Sequence, residues 1–289
     1  MNDHRLRAVG LVPHHDRPLA HDLARTAADR FRAEGIDVRV LASDAALTGL
    51  EEFGVDPQAF AVDLDVALSL GGDGTMLRTV DLTYEAGTAV LGINVGQLGY
   101  LADVEPADLP AALERLLAGD YEVEERMVLQ VTVTSEGAAA GRWWALNEAV
   151  IEKEQPGRLV RLAVAINEKF FTTYAADGVI IATPTGSTAY SFSARGPIVS
   201  PRHRCLLLTP VSPHMLFDRS LVLDAEEELR FTVTDGRPVV LTLDGRELGR
   251  LIPGDEVACT AGPKSARIVT LGPRDFHQIL KTKFGLADR

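Results

Sequence analysis

The stretch VALSLGGDGTMLRTV, residues 66–80, joins an apolar run to a helical pattern through two glycines, one carboxylate and a third glycine. A short apolar run without polar alternation is what a parallel strand buried on both faces requires. From Thr75 onward the spacing turns helical. A strand that passes into a helix at a glycine corner belongs to an open α/β sheet, and such sheets bind ligands at the carboxyl ends of their strands. Gly71, Gly72 and Gly74 free the backbone to turn tightly and let bare amides approach a polyphosphate. Asp73 is the unexpected member, because a carboxylate beside phosphates is repelled unless it has another task. Acting as a general base for a hydroxyl nucleophile, or as a cation ligand, supplies that task. A tight turn with an Asx cap is the plainer reading of the same residues. The chain contains neither a G-x-x-x-x-G-K-[ST] loop nor a G-x-G-x-x-G fingerprint.

Working outward, residues 7–12, 21–35 and 36–41 alternate strand, helix and strand patterns, and residues 89–95 form a second continuous apolar run. A parallel sheet covered by helices follows. A second glycine cluster, GINVGQLGYLAD at 92–103, is expected beside the first at the sheet edge. Asp108 is placed to cap a helix lined by Leu109, Leu113, Leu116 and Leu117, which Gly119 and Asp120 stop. From about Met127 the texture changes to short strands, VLQVTVT, LVRLAVAI, KFFTTY, CLLLT, LRFTVT, VVLTL and ARIVTL, with the hairpin signals NEK and DGR between them. The expected organisation is an α/β domain with a parallel sheet over residues 1–126 and an antiparallel, β-rich domain over 127–271. A closing helix within 272–289, carrying Phe276, Ile279, Leu280 and Phe284, is expected to pack back on the first domain.

With 289 residues, 46% hydrophobic, the chain is long enough for two cores. The formal net charge of −12 argues against nucleic acid or a phospholipid surface as partner, since neutralising phosphates takes clustered Lys and Arg. No apolar run approaches a membrane span, and MNDHRLRAVG lacks the apolar core of a signal peptide, so a cytoplasmic location is expected. Cys205 and Cys259 read as small core residues. His14 and His15, in HHDR, read as part of a solvated loop rather than as metal ligands.

The segment DGVIIATPTGSTAYSFSARGPIVSP, 177–201, begins as a strand and continues as a loop leading into a helix, dense in hydroxyl groups. Its TGSTA is not a G-x-S-x-G nucleophile elbow, which excludes a serine hydrolase. Asn147 and Glu148 stand at the end of the strand WWAL.

Taken together, GGDGT at 71–75, NE at 147–148, DGVIIATPTGSTAYS at 177–191 and TPVSPHMLFDRSLVL at 209–223 resemble the bacterial NAD kinase family, in that order and over most of the chain. GGDG alone is shared with phosphofructokinases and with diacylglycerol and sphingosine kinases; the T-P-T-G-S-T-A-Y segment joined to NE is specific. The resemblance implies an NAD kinase-like two-domain architecture. It also implies transfer of the terminal phosphoryl group of ATP, or of polyphosphate, to the 2′-hydroxyl of the adenosine ribose of NAD, giving NADP. Asp73 matches the base or orienter of that hydroxyl, and Gly72 and Gly74 would lie along the phosphates. Asn147 and Glu148 match the pair that binds the adenosine diphosphate part of NAD, and Asp177 an acid of the dinucleotide site. Thr188, Ala189, Tyr190 and Ser193 match adenine and nicotinamide contacts. The family implies magnesium or another divalent ion with ATP, for which no ligand residue is assigned, and a homo-oligomer, dimer or tetramer.

Where the family commonly has SAGGP this chain has SARGP, with Arg195 in place of a glycine. A lipid kinase would need a basic segment or an amphipathic anchor, and neither is apparent. A phosphofructokinase would continue into a second α/β domain. A catalytically weak nucleotide-binding regulator gains nothing from an acid beside its phosphates.

Overall fold

The computed structural model describes residues 6–96, 99–102, 104–135, 140–155, 157–235, 237–273 and 275–286. Along the chain run β1 (Ala8–Pro13), α1 (Pro18–Ala33), β2 (Asp37–Leu41), α2 (Ala42–Thr48), β3 (Gly54–Val55), α3 (Pro57–Phe60), β4 (Val66–Gly71), α4 (Asp73–Thr83), β5 (Ala89–Asn94), α5 (Leu109–Leu117) and β6 (Glu122–Arg126). Then follow β7 (Leu129–Thr134), β8 (Gly141–Ala145), β9 (Glu148–Lys153), β10 (Val160–Ile166), β11 (Lys169–Ala176), β12 (Gly178–Ala182), α6 (Tyr190–Ser193), β13 (Cys205–Val211) and β14 (Leu221–Asp224). The chain ends with β15 (Leu229–Val233), β16 (Val239–Leu243), β17 (Arg246–Leu251), β18 (Glu256–Ala261), β19 (Ala266–Thr270) and α7 (Phe276–Phe284).

Two compact units result, Met1–Glu125 with Ala266–Arg289, and Arg126–Ser265. The first is built on a seven-stranded sheet of order β3-β2-β1-β4-β5-β19-β6. Its β1, β2, β4 and β5 are joined by parallel ladders. Strands β1, β4 and β5 are buried at every position, which explains their unalternated apolar runs. Phe31 of α1 and Phe60 of α3 are fully buried, each worth roughly 1.5–3 kcal/mol relative to exposure. Strand order reverses between β1 and β4, so the carboxyl ends of these two neighbours form the crevice where such sheets take ligands.

The second unit holds two antiparallel six-stranded sheets, β11-β10-β15-β18-β7-β8 and β14-β13-β12-β9-β16-β17. In β15 and β16 buried and half-buried residues alternate, as period-2 packing demands. Asn167 and Glu168 of NEK, and Asp244 and Gly245 of DGR, take positive φ at both turn positions, the twist-matched hairpin geometry. Both cysteines are buried and free.

One sequence expectation is corrected and three are made more specific. ARIVTL becomes β19, which pairs in parallel with β5 in the first sheet rather than joining the β-rich unit, because its buried residues close onto the first core through Val269. Asn147 and Glu148 do follow the end of WWAL; the chain leaves β8 at Ala145 and enters β9, in the other sheet, at Glu148. The helix after TPTGST is a single turn, closed by Arg195 at φ 65°. HHDR is a loop, as expected, and its exposed His15 also reaches the fully buried carboxylate of Asp44 at 3.1 Å.

Candidate active site

The first cluster of site residues stands on the β4–α4 corner. Gly72 is the N-cap of α4 and Asp73 its first residue, where the leading N–H groups lack intrahelical partners and the helix dipole favours negative charge. A Cβ on Gly71 would fall 2.1 Å from Thr75 Oγ1, so that glycine serves internal packing. A Cβ on Gly72 or Gly74 would meet nothing within 4 Å. Those two glycines therefore have no packing reason to be bare; they leave the backbone open toward the cavity they line.

Asp73 is held by the second glycine cluster. The N–H of Tyr100 donates to Asp73 Oδ2 at 2.9 Å and the N–H of Leu101 to Oδ1 at 3.0 Å. Gly99 permits this, because a Cβ there would lie 2.2 Å from Oδ1. The two clusters meet because β4 and β5 are in register, Gly71 opposite Asn94, with the Val95 N–H donating to the Gly71 carbonyl at 2.9 Å. Gln97, Leu98 and Asp103 of that cluster lie outside the described residues. Each Asp73 oxygen keeps acceptor capacity beyond its one backbone bond, so the carboxylate is oriented without being used up. Lys283 of α7 stacks over the Tyr100 ring at 4.1 Å.

The second cluster belongs to the other unit. Asp244, at the tip of the β16–β17 hairpin, accepts N–H groups from Leu146 at 2.7 Å, Asn147 at 2.8 Å and Glu148 at 3.1 Å. That fixes the crossing where Asn147 and Glu148 are presented. The 183–187 segment is tied to the same crossing: Thr183 donates its N–H to the Asn147 carbonyl at 2.8 Å and its hydroxyl to the Leu146 carbonyl at 2.6 Å. Gly186 is obligatory, since a Cβ would come within 2.1 Å of the Asn147 carbonyl oxygen. NE and TPTGSTAY are thus one structural unit.

Glu148 is buried, and its Oε2 has no hydrogen-bond partner among the described residues. Burial, and then the neighbouring Asp244, push its pKa up to about 8. The Tyr190 phenol is also raised, by burial first and then by Glu152, Asp177 and Glu148. Asp177 pairs with Lys153. The structure therefore gathers Glu148, Asp177 and Tyr190 in one acidic, half-dry cluster and adds Glu152, Lys153 and Asp244, which the sequence reading left out. Asp244 carried a signal, an acid in a DG turn, but the turn alone already explained it. Thr188 and Ala189 are half-buried beside this cluster in sequence, and Ser193 is exposed at the end of α6.

Family profiles match both units: the ATP-NAD kinase N-terminal domain over residues 9–121 and the ATP-NAD kinase C-terminal domain over 146–271. A protein of Heliobacterium modesticaldum named NAD kinase is 40% identical over 280 residues, 95% of this chain and 97% of its own. Among solved structures, yeast NADH kinase complexed with NADH superposes with a TM-score of 0.89 at 23% identity, covering 99% of this chain and 89% of that one. An NAD kinase from Archaeoglobus fulgidus in complex with ATP gives 0.71 at 22% identity, covering 97% and 98%.

Proposed function

The chain belongs to the NAD kinase family, an enzyme that phosphorylates NAD, and on that premise we propose that it transfers the terminal phosphoryl group of ATP, or of polyphosphate, directly to the 2′-hydroxyl of the adenosine ribose, giving NADP. Asp73 is the base. The observation that carries this role is a carboxylate at the first position of α4, oriented by two backbone N–H groups beside glycines that leave their backbone bare.

The ribose oxygen attacks the terminal phosphorus in line, Asp73 accepts the hydroxyl proton, and the shortened donor leaves. No phosphoenzyme is needed, because positioning and charge neutralisation carry most of such a reaction. Asn147 and Glu148 bind the adenosine diphosphate part of NAD; Asp177, Thr188, Ala189, Tyr190 and Ser193 complete the dinucleotide site; Gly72 and Gly74 run along the phosphates. The buried Oε2 of Glu148, without a hydrogen-bond partner among the described residues, supports this assignment, since a ligand hydroxyl would meet it there. Magnesium, which takes one or two carboxylates together with phosphates and water, suits a site where Asp73 is the carboxylate of the turn; it would neutralise charge on the transferred group. No described helix is long and apolar enough to cross a membrane. A cytoplasmic homo-oligomer, dimer or tetramer, belongs to the same proposal.

The test is purified protein incubated with NAD, magnesium and each donor in turn, with product read by an NADP-specific dehydrogenase. NADP should form with at least one donor. Silence with all of them would leave only a nucleotide-binding regulator.

A further inference from the structure

The loop that follows β5 is fixed at its base by the backbone. Asn94 donates its N–H to the Val104 carbonyl at 2.7 Å and Val104 its own to the Gly92 carbonyl at 3.2 Å, so the chain returns beside the strand it has just left. The return leg packs closely, since a Cβ on Gly92 would fall 2.7 Å from the Ala102 Cα. At the tip, the N–H groups of Tyr100 and Leu101 point instead to Asp73. Gly99, bare so that the carboxylate fits, brings no side chain to hold the turn. The Tyr100 ring does, and it meets the C-terminal helix.

That helix, α7, has the pattern of a core helix without the burial of one. Phe276, Ile279, Leu280 and Phe284 recur at helical spacing, yet no residue of α7 is buried and Phe284 is 42% exposed. Nine residues are too few for a helix to persist alone in water. Its ends are secured locally, by Asp275 accepting the N–H groups of His277 and Gln278 and by Gly285 at φ 59°. A helix docked so shallowly adds little to the core, so its contact with the rest of the unit has another use. Lys283 Nζ stands 4.1 Å from the Tyr100 ring centroid, well inside the roughly 6 Å reach of a cation–π contact. Among the described residues that ammonium makes no ion pair, which leaves the ring as its partner. The phenol also feels the base: its pKa is raised by burial first and then by the Asp73 charge.

Resting on the reading of Asp73 as the base, we propose that Lys283 is a positioning residue for phosphoryl transfer: it holds the Tyr100 ring and so fixes the turn whose two N–H groups orient the Asp73 carboxylate. The C-terminal helix is a brace for the catalytic carboxylate rather than part of the core. Lys283 acts through the ring and the turn, and the turn matters because misplacing a reacting group by about 1 Å can cost 10²-fold in rate.

Amide hydrogen exchange of the full chain, followed at residues 99–102, tests the brace without reference to turnover. Lys283→Met keeps the aliphatic stem and removes the charge. Exchange of the Tyr100 and Leu101 amides should quicken about threefold to tenfold while the amides of β4 and β5 keep their rates. In steady-state assays kcat should fall by a similar factor, with the KM for NAD and for ATP each within about twofold. Lys283→Arg, which returns a cation to the ring, should restore most of both. In a Tyr100→Leu background Lys283→Met should change kcat by less than about twofold, because the ring it acts through is gone. A merely structural role would lower Tm and quicken exchange across the whole unit instead. Unchanged exchange at Tyr100 and Leu101, unchanged kcat in a chain that Asp73→Asn inactivates, or an undiminished effect without the ring overturns the inference. Charge-dependent exchange in a chain whose Asp73→Asn variant turns over fully would support the brace and refute Asp73 as the base instead.

Discussion

Asp244 Oδ1 accepts the backbone N–H of Asn147 at 2.8 Å across 97 residues of chain, and the same carboxylate serves the residues on either side. A hairpin tip in this way becomes the cap of a strand crossing. Asp244→Ala strands three partly buried N–H groups, each costing about 1–3 kcal/mol when unmet. The variant should lose several degrees of Tm and raise the KM for NAD about tenfold or more, with Asp244→Asn recovering part of both, as read by thermal unfolding and steady-state kinetics.

Asp73→Asn removes the proton acceptor while keeping the shape. Loss of a positioned base costs about 10²- to 10⁴-fold in rate, so kcat should collapse while NAD affinity stays nearly unchanged. One amide edge must now face the N–H of Tyr100 or Leu101, so Tm is followed in parallel. Full turnover in a folded variant would rule out Asp73 as the base.

Glu148 ties stability to pH. Its folded pKa of about 8 lies above the ordinary 4.5, so the native state holds a proton that the unfolded chain has released over this interval. The contribution is complete below about 4.5 and fades as pH rises through about 8. Tm should therefore fall from pH 5 to pH 8, and Glu148→Gln should flatten that slope. Asp244→Asn should flatten it partly, since Asp244 is the second cause of the shift.

Arg195 sits at φ 65°, a left-handed conformation that costs a residue with a Cβ roughly 1–2 kcal/mol. Arg195→Gly, the residue its family commonly carries there, should raise Tm by about 2–4 °C. Differential scanning measures this. If the KM for ATP and NAD also stay fixed, the guanidinium points to solvent and contacts neither substrate.

The sequence by itself determined the local pieces: unalternated runs at 66–70 and 89–95 specify buried parallel strands, and glycines flanking Asp73 specify a bare-backbone corner. The T-P-T-G-S-T-A-Y and NE motifs, matched together, determined the family. These are legible because strand burial, turn geometry and helix starts depend on residues a few positions apart. Tertiary structure alone decided which distant groups share a charge or a hydrogen bond. Asp73 is oriented by Tyr100 and Leu101, Glu148 is lifted by Asp244, and Arg78 is braced by Asp44. It also moved ARIVTL into the first sheet and set the HHDR loop against the GGDG turn as part of a cavity wall. Burial and electrostatics act through space, so a spacing pattern along the chain does not encode them.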